Sequence, residues 1–99
     1  MFPERIKQLR IERQLPLRKI AAALDIDAAT YWKIERGERR AKREHIPIIA
    51  EILQADTEEL LTFWLAEQVA EVVADESLAL EVLKVVEEKV NCNENTKIL

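Results

Sequence analysis

Ninety-nine residues suffice for one domain, or for one small domain with an appendage, and a 48% apolar content supports a buried core, which excludes wholesale disorder. One glycine, three prolines, one cysteine and one histidine predict helices on short connections and exclude both an internal disulfide and a Cys/His metal centre. The net charge of −4 divides into +5 over residues 1–45 and −9 over residues 46–99, so only the first half suits a polyanion, and the second would be repelled by the same partner.

Pro3 and Glu4 open the first predicted helix, which runs to about Arg13 with Phe2, Ile6 and Leu9 on its inner face. Leu15-Pro16 breaks it, and Pro16 suits the start of a second helix striped by Leu17, Ile20, Ala21 and Leu24 and ending near Asp25. Asp27 is a good N-cap for a third helix, about 27–36, that turns Tyr31 and Ile34 inward and stops at Gly37 in a left-handed conformation. A fourth helix is expected over roughly 43–53, with Ile46, Ile49, Ile52 and Leu53 inward; Pro47 either kinks it or moves its start later. Asp56 and Glu59 form a capping-box-like pair for a fifth helix that stays apolar through Val73. Asp75 and Ser77 offer a break and a new cap before a sixth helix at about 77–90, and 91–99 reads as a frayed, flexible tail.

The opening MFPERIKQLR lacks the apolar run of a secretory signal, and no stretch approaches the roughly 20 apolar residues of a membrane span. The expectation is a cytoplasmic protein with no membrane partner. Acidic neighbours such as Glu58-Glu59 and Glu87-Glu88 point about 100° apart on a helix and cannot flank one bond. No nucleophile–base pairing and no glycine-rich phosphate loop stands beside them, so the chain is expected to be no enzyme and to use no cofactor or metal. His45 reads as a surface or boundary residue of the fourth helix, and Cys92, the one cysteine in a polar tail, is not expected to have a redox role.

Helices two and three are separated only by Asp25-Ile26-Asp27, the spacing of a helix-turn-helix. Ala21 fits the point where two such helices cross, and Asp25 can take the left-handed turn conformation at some cost. On these residues the run LRKIAAALDIDAATYWKIERG resembles the DNA-binding domain of Cro/CI-type (XRE family) transcriptional regulators. The resemblance covers about residues 4–61. Its most specific parts are A-x-x-L at Ala21 and Leu24, I-E-R-G at 34–37, and AEILQADTEELL after the fourth helix. It implies an all-α, lambda-repressor-like five-helix DNA-binding domain over 1–61, whose third helix enters the major groove, generally as a homodimer on a palindromic operator. It further implies a structural ion pair between Arg10 and Glu35. Leu17 stands where the family often carries a phosphate-touching polar residue, commonly Gln. In size, the chain is similar to restriction–modification controller proteins and Cro-like repressors.

With Tyr31 and Ile34 inward, the opposite face of helix three carries Ala28, Ala29, Trp32, Lys33 and Arg36. Residues near its N-terminus reach base edges, so Ala28, Ala29 and Lys33 are expected readers: Lys33 can donate to guanine, and the alanine methyls can meet thymine methyls. Trp32 either joins them by stacking on a sugar or base edge, or packs against helix one or a partner subunit. Arg36, Arg39, Arg40, Lys42 and Arg43 are expected along the phosphates, with Arg18 in the first turn of helix two.

The apolar bands of the last two helices are wider than one small bundle would cover. A twofold homodimer is the expected consumer, through Leu61, Trp64, Leu65, Val69 and Val72 on helix five and Leu78, Val82, Val85 and Val86 on helix six, within an extension over 62–90. The alternative is that these helices fold back on their own subunit. Two other functions fit the same charge pattern: an antitoxin whose acidic helices cover a basic toxin, and a protein-interaction module that no longer binds DNA. The six Lys and Arg residues between Asp27 and Arg43 argue against the last.

Overall fold

The computed structural model describes residues 1–98, with side chains through residue 92. The chain is all-helical over this range: α1 (Phe2–Glu12), α2 (Leu17–Ala23), α3 (Ala28–Glu35), α4 (His45–Leu53), α5 (Thr57–Val72) and α6 (Ala79–Ile98). The first five helices make the helix-turn-helix architecture, and α6 is the additional C-terminal helix. Two compact units result, Met1–Glu67 and Gln68 onward, with α5 running from one into the other.

In the first unit, Phe2, Ile6 and Leu9 of α1 meet Ile20 and Ala21 of α2, Tyr31 and Ile34 of α3, Ile46, Ile49 and Leu53 of α4, and Leu60 of α5. Each fully buried Ile or Leu contributes about 1.5–3 kcal/mol by leaving water, so this cluster supplies the driving force of the unit. Four connections close in the same way. The amide of Leu15 donates to Arg10, Ile26 to Ala21, Glu38 to Lys33 and Ala55 to Ala50, each over five residues, beside a shorter bond one residue earlier. These are Schellman closures, and they place Gln14, Asp25, Gly37 and Gln54 at positive φ. Asp25 and Gly37 were legible as left-handed positions; the two glutamines were not.

Pro47 kinks nothing. It is the third residue of α4, where an N–H would lack an intrahelical acceptor in any case, so the helix begins at His45 rather than near residue 43.

Three features of the second half were not part of the sequence reading. Leu61 and Trp64, expected in the dimer face, lie partly buried against the core of their own unit. That packing, with Phe63, carries the first unit past residue 61 to Glu67. The sixth helix does not stop near Val90. Neither Pro nor Gly occurs beyond Pro47, so nothing breaks it, and 91–98 of the expected tail is helical.

Candidate nucleic-acid interface

The recognition unit is α2, a tight turn and α3. Ala21, only 2% exposed, lets the two helices approach closely. Asp25, at φ 58°, reverses the chain, and Asp27 then caps α3 by accepting the Thr30 amide at 2.7 Å. That bond holds the Asp27 carboxyl below its ordinary pKa, with smaller help from the charges of Lys33 and Arg39.

The inner side of α3 is fastened to the rest of the unit. Arg10 on α1 grips Glu35 with two bonds, Nε to Oε2 at 2.8 Å and Nη2 to Oε1 at 3.1 Å. Its Nη1 also donates to the Leu15 carbonyl at 3.1 Å, so one guanidinium ties together α1, the α1–α2 connection and α3. Glu35 is the one buried charged residue among the described side chains, and hydrogen bonding to it raises the pKa of Arg10 above its ordinary value. The ion pair implied by the resemblance is therefore present in the structure. Tyr31 lies alongside at zero exposure; burial, with the Glu35 charge adding to it, pushes its phenol well above the usual range.

The outer side of α3 is open. Ala28, Ala29, Trp32, Lys33 and Arg36 are all exposed, while Tyr31, Ile34 and Glu35 are buried. The structure thus brings the expected readers onto one face. Two residues of this face, the expected reader Trp32 and the expected phosphate contact Arg36, are already engaged with neighbours: the Arg36 guanidinium lies over the Trp32 ring, 4.3 Å from its centroid, and reaches Glu38 at 3.3 Å. Lys33 and the two alanines are left as the uncovered part of the head.

Past Gly37 the chain runs without a helix to His45. Arg39, Arg40, Lys42 and Arg43 are exposed along it, and Arg18 is exposed in the first turn of α2. Ile26, Thr30, Ile34, Arg39, Arg40, Lys42 and His45 line a small recess between the recognition unit and the start of α4. Its cations make it a favourable place for an anionic oxygen, whereas the opening amides of α4 are already taken: His45 and Ile46 donate to Lys42 and Arg43, and Pro47 has no N–H. Two contributors escaped the sequence reading. His45, expected as a surface or boundary residue of the fourth helix, is the first residue of α4 and also lines this recess. Ala41 is 3% exposed and holds the middle of the basic segment in the core, while the Trp64 indole donates to its carbonyl at 2.8 Å. The alternation Arg-Ala-Lys at 40–42 was the available signal for an inward residue between outward charges.

Among the described residues no group of His, Cys, Asp or Glu could hold a metal ion, and no helix is long and apolar enough to cross a membrane. Compared with known proteins, the chain matches no curated protein and no solved structure. Residues 3–63 do match a protein family, described as Helix-turn-helix domain. That span covers α1 through α4 and the first turns of α5, the elements that build and brace the exposed α3 face. By architecture and by sequence, the chain belongs to the helix-turn-helix domain family of DNA-binding regulators.

Proposed function

We propose that the protein is a Cro/CI-type (XRE) transcriptional regulator, a repressor or autoregulator, that binds a palindromic operator as a homodimer and carries out no catalysis. The observation that carries this reading is the two-sidedness of α3. One side is locked to α1 by Arg10–Glu35, and the other presents Ala28, Ala29 and Lys33, followed at once by a cationic segment. In this reading Lys33 supplies most of the base discrimination, and Arg18, Arg39, Arg40, Lys42 and Arg43 hold phosphates. Arg36 contributes less than the others because Trp32 and Glu38 occupy it.

Exposed apolar residues support the homodimer. Leu65, Val69, Val72, Leu78, Val82, Val85 and Val86 are 40–80% exposed, as are Leu80 and Val90. A second copy would bury them around a twofold axis and set two α3 helices about one DNA turn apart.

The test is binding to duplex DNA from upstream of the protein's own gene. Retardation should be strong at low salt and fall steeply as salt rises. Lys33→Ala should change which duplexes are preferred, whereas Lys42→Ala should weaken all of them alike. No retardation at low salt would falsify the operator reading.

A further inference from the structure

The segment joining α3 to α4 holds four of the expected phosphate ligands and is not helical; the amides of His45 and Ile46 donate to the carbonyls of Lys42 and Arg43 at 2.9 and 3.1 Å, which ties its last residues to α4 and leaves its middle to be held in another way. Its middle residue, Ala41, is turned into the core at 3% exposure, and the flanking Arg40 and Lys42 are exposed. A side chain of another element holds this backbone: Trp64 Nε1 donates to the Ala41 carbonyl at 2.8 Å across 23 residues of sequence. An indole has a single N–H donor, and this bond uses it. Trp64 is itself half-buried on α5, and it falls just beyond the part of the chain that matches the family, 3–63.

We propose that Trp64 is a positioning residue for binding the DNA backbone: through Ala41 it fixes the α3–α4 segment so that Arg39, Arg40, Lys42 and Arg43 face phosphates together. The inference rests on the DNA-binding reading above and places one determinant of it outside the helix-turn-helix itself. With the bond in place, the cations meet DNA already oriented. Without it, the Ala41 carbonyl turns to water, the segment samples other paths, and the cost of ordering it weakens binding. Lys33 sits on α3, fastened by Arg10–Glu35, so base discrimination is independent of Trp64.

The test compares the full-length wild type, Trp64→Phe and Lys33→Ala on two duplexes, one from upstream of the protein's own gene and one of scrambled sequence. Trp64→Phe keeps an aromatic ring and deletes the donor. It should weaken binding to both duplexes by the same factor, about two- to tenfold, the worth of one hydrogen bond. The slope of its salt dependence should become shallower by about one for each phosphate no longer neutralised. The ratio between the duplexes should stay at the wild-type value, while Lys33→Ala shifts that ratio. A purely structural role would instead lower helicity and melting temperature and leave the salt dependence of the folded fraction unchanged, and that result overturns the proposal. If Trp64→Phe does not fold, replacing Trp64 with 3-benzothienylalanine keeps the ring shape and removes only the N–H; wild-type affinity and salt slope in that protein would refute the inference. Wild type that binds neither duplex at low salt sinks the DNA-binding reading and this inference together. Wild-type binding that neither replacement alters sinks this inference alone.

Discussion

Glu35 is 3% exposed in its side chain and Arg10 17%, so the pair that orients α3 is held largely out of water. Pairs of this kind add little net stability, because desolvation offsets most of the attraction, but removing one partner strands the other. Glu35→Ala should therefore cost about 3 kcal/mol, the low end of the range for a broken buried pair because Arg10 keeps some access to water. Arg10→Met combined with Glu35→Leu should cost much less than Glu35→Ala. Urea unfolding of the three proteins checks this, and equal costs for the single and double variants would show that the pair is not what holds α3. Tyr31, the chain's one tyrosine, gives a second residue-scale readout. Its pKa is raised in the folded state by burial, so the neutral form is favoured there. The sign follows: its contribution is fully present below the unfolded value of about 10 and is lost as pH rises beyond it. In an alkaline titration, tyrosinate absorbance should appear together with the loss of helical circular dichroism. Ionisation in the intact fold would show that the ring is reached by solvent.

At the scale of elements, the helix stops are where the chain departs from what its residues prefer. Gly37 takes φ 76° at little cost, but Gln14, Asp25 and Gln54 take 54°, 58° and 53° with a Cβ in the way. Gln54→Gly should therefore raise stability by about 0.5–1 kcal/mol, a gain of several degrees in melting temperature for a unit of this size. Gly37→Ala should lower it by about 1–2 kcal/mol. A Cβ at residue 37 would meet only Pro3 Cγ at 3.7 Å, an ordinary van der Waals distance, so that loss measures backbone strain and not a clash. If Gln54→Gly is neutral or destabilising, the glutamine side chain supplies something that the conformational argument omits. The same stops show what the sequence could and could not convey. Asp27 and Gly37 are residue types whose chemistry suits a helix start and a helix stop, and the inward faces of α1, α3 and α4 repeat at helical spacing, so those boundaries were readable to within a residue or two. Gln14 and Gln54 carry no such preference; their conformation is imposed by the tertiary packing on either side. The bond from Trp64 to Ala41 was illegible for a related reason. An apolar stripe looks the same whether its partner is a second subunit or Ala41 of its own chain, and only the folded loop distinguishes them. The Arg10–Glu35 bond, spanning 25 residues, was foreseeable from the family resemblance and not from any local pattern.

Across the whole molecule, charge and apolar surface are segregated. The net +5 lies in the first 45 residues, divided between α1–α2 and the stretch from α3 to the start of α4, and the net −9 lies in the remainder with most of the exposed Val and Leu residues. An acidic surface would hold DNA away, so the arrangement is consistent only if the second half has a different partner. The homodimer makes the sharper forecast. Val72 and Val85 are 80% and 65% exposed, and neither belongs to the core of the first unit, so a carboxylate at each should be tolerated by the isolated subunit. In a twofold interface every substitution occurs twice, and replacing four buried valines with four charges should weaken association by roughly a thousandfold or more. Val72→Asp with Val85→Asp should thus sediment as a folded monomer at concentrations where the wild type is a dimer. Operator affinity should fall with it, because each half-site is then bound alone, while Lys33-dependent sequence preference within a half-site persists. A double variant that stays dimeric moves the interface away from these residues. A wild type that is monomeric at every concentration removes the homodimer and leaves a basic protein, bound by the acidic second half, as the partner to seek by co-purification with the product of the neighbouring gene.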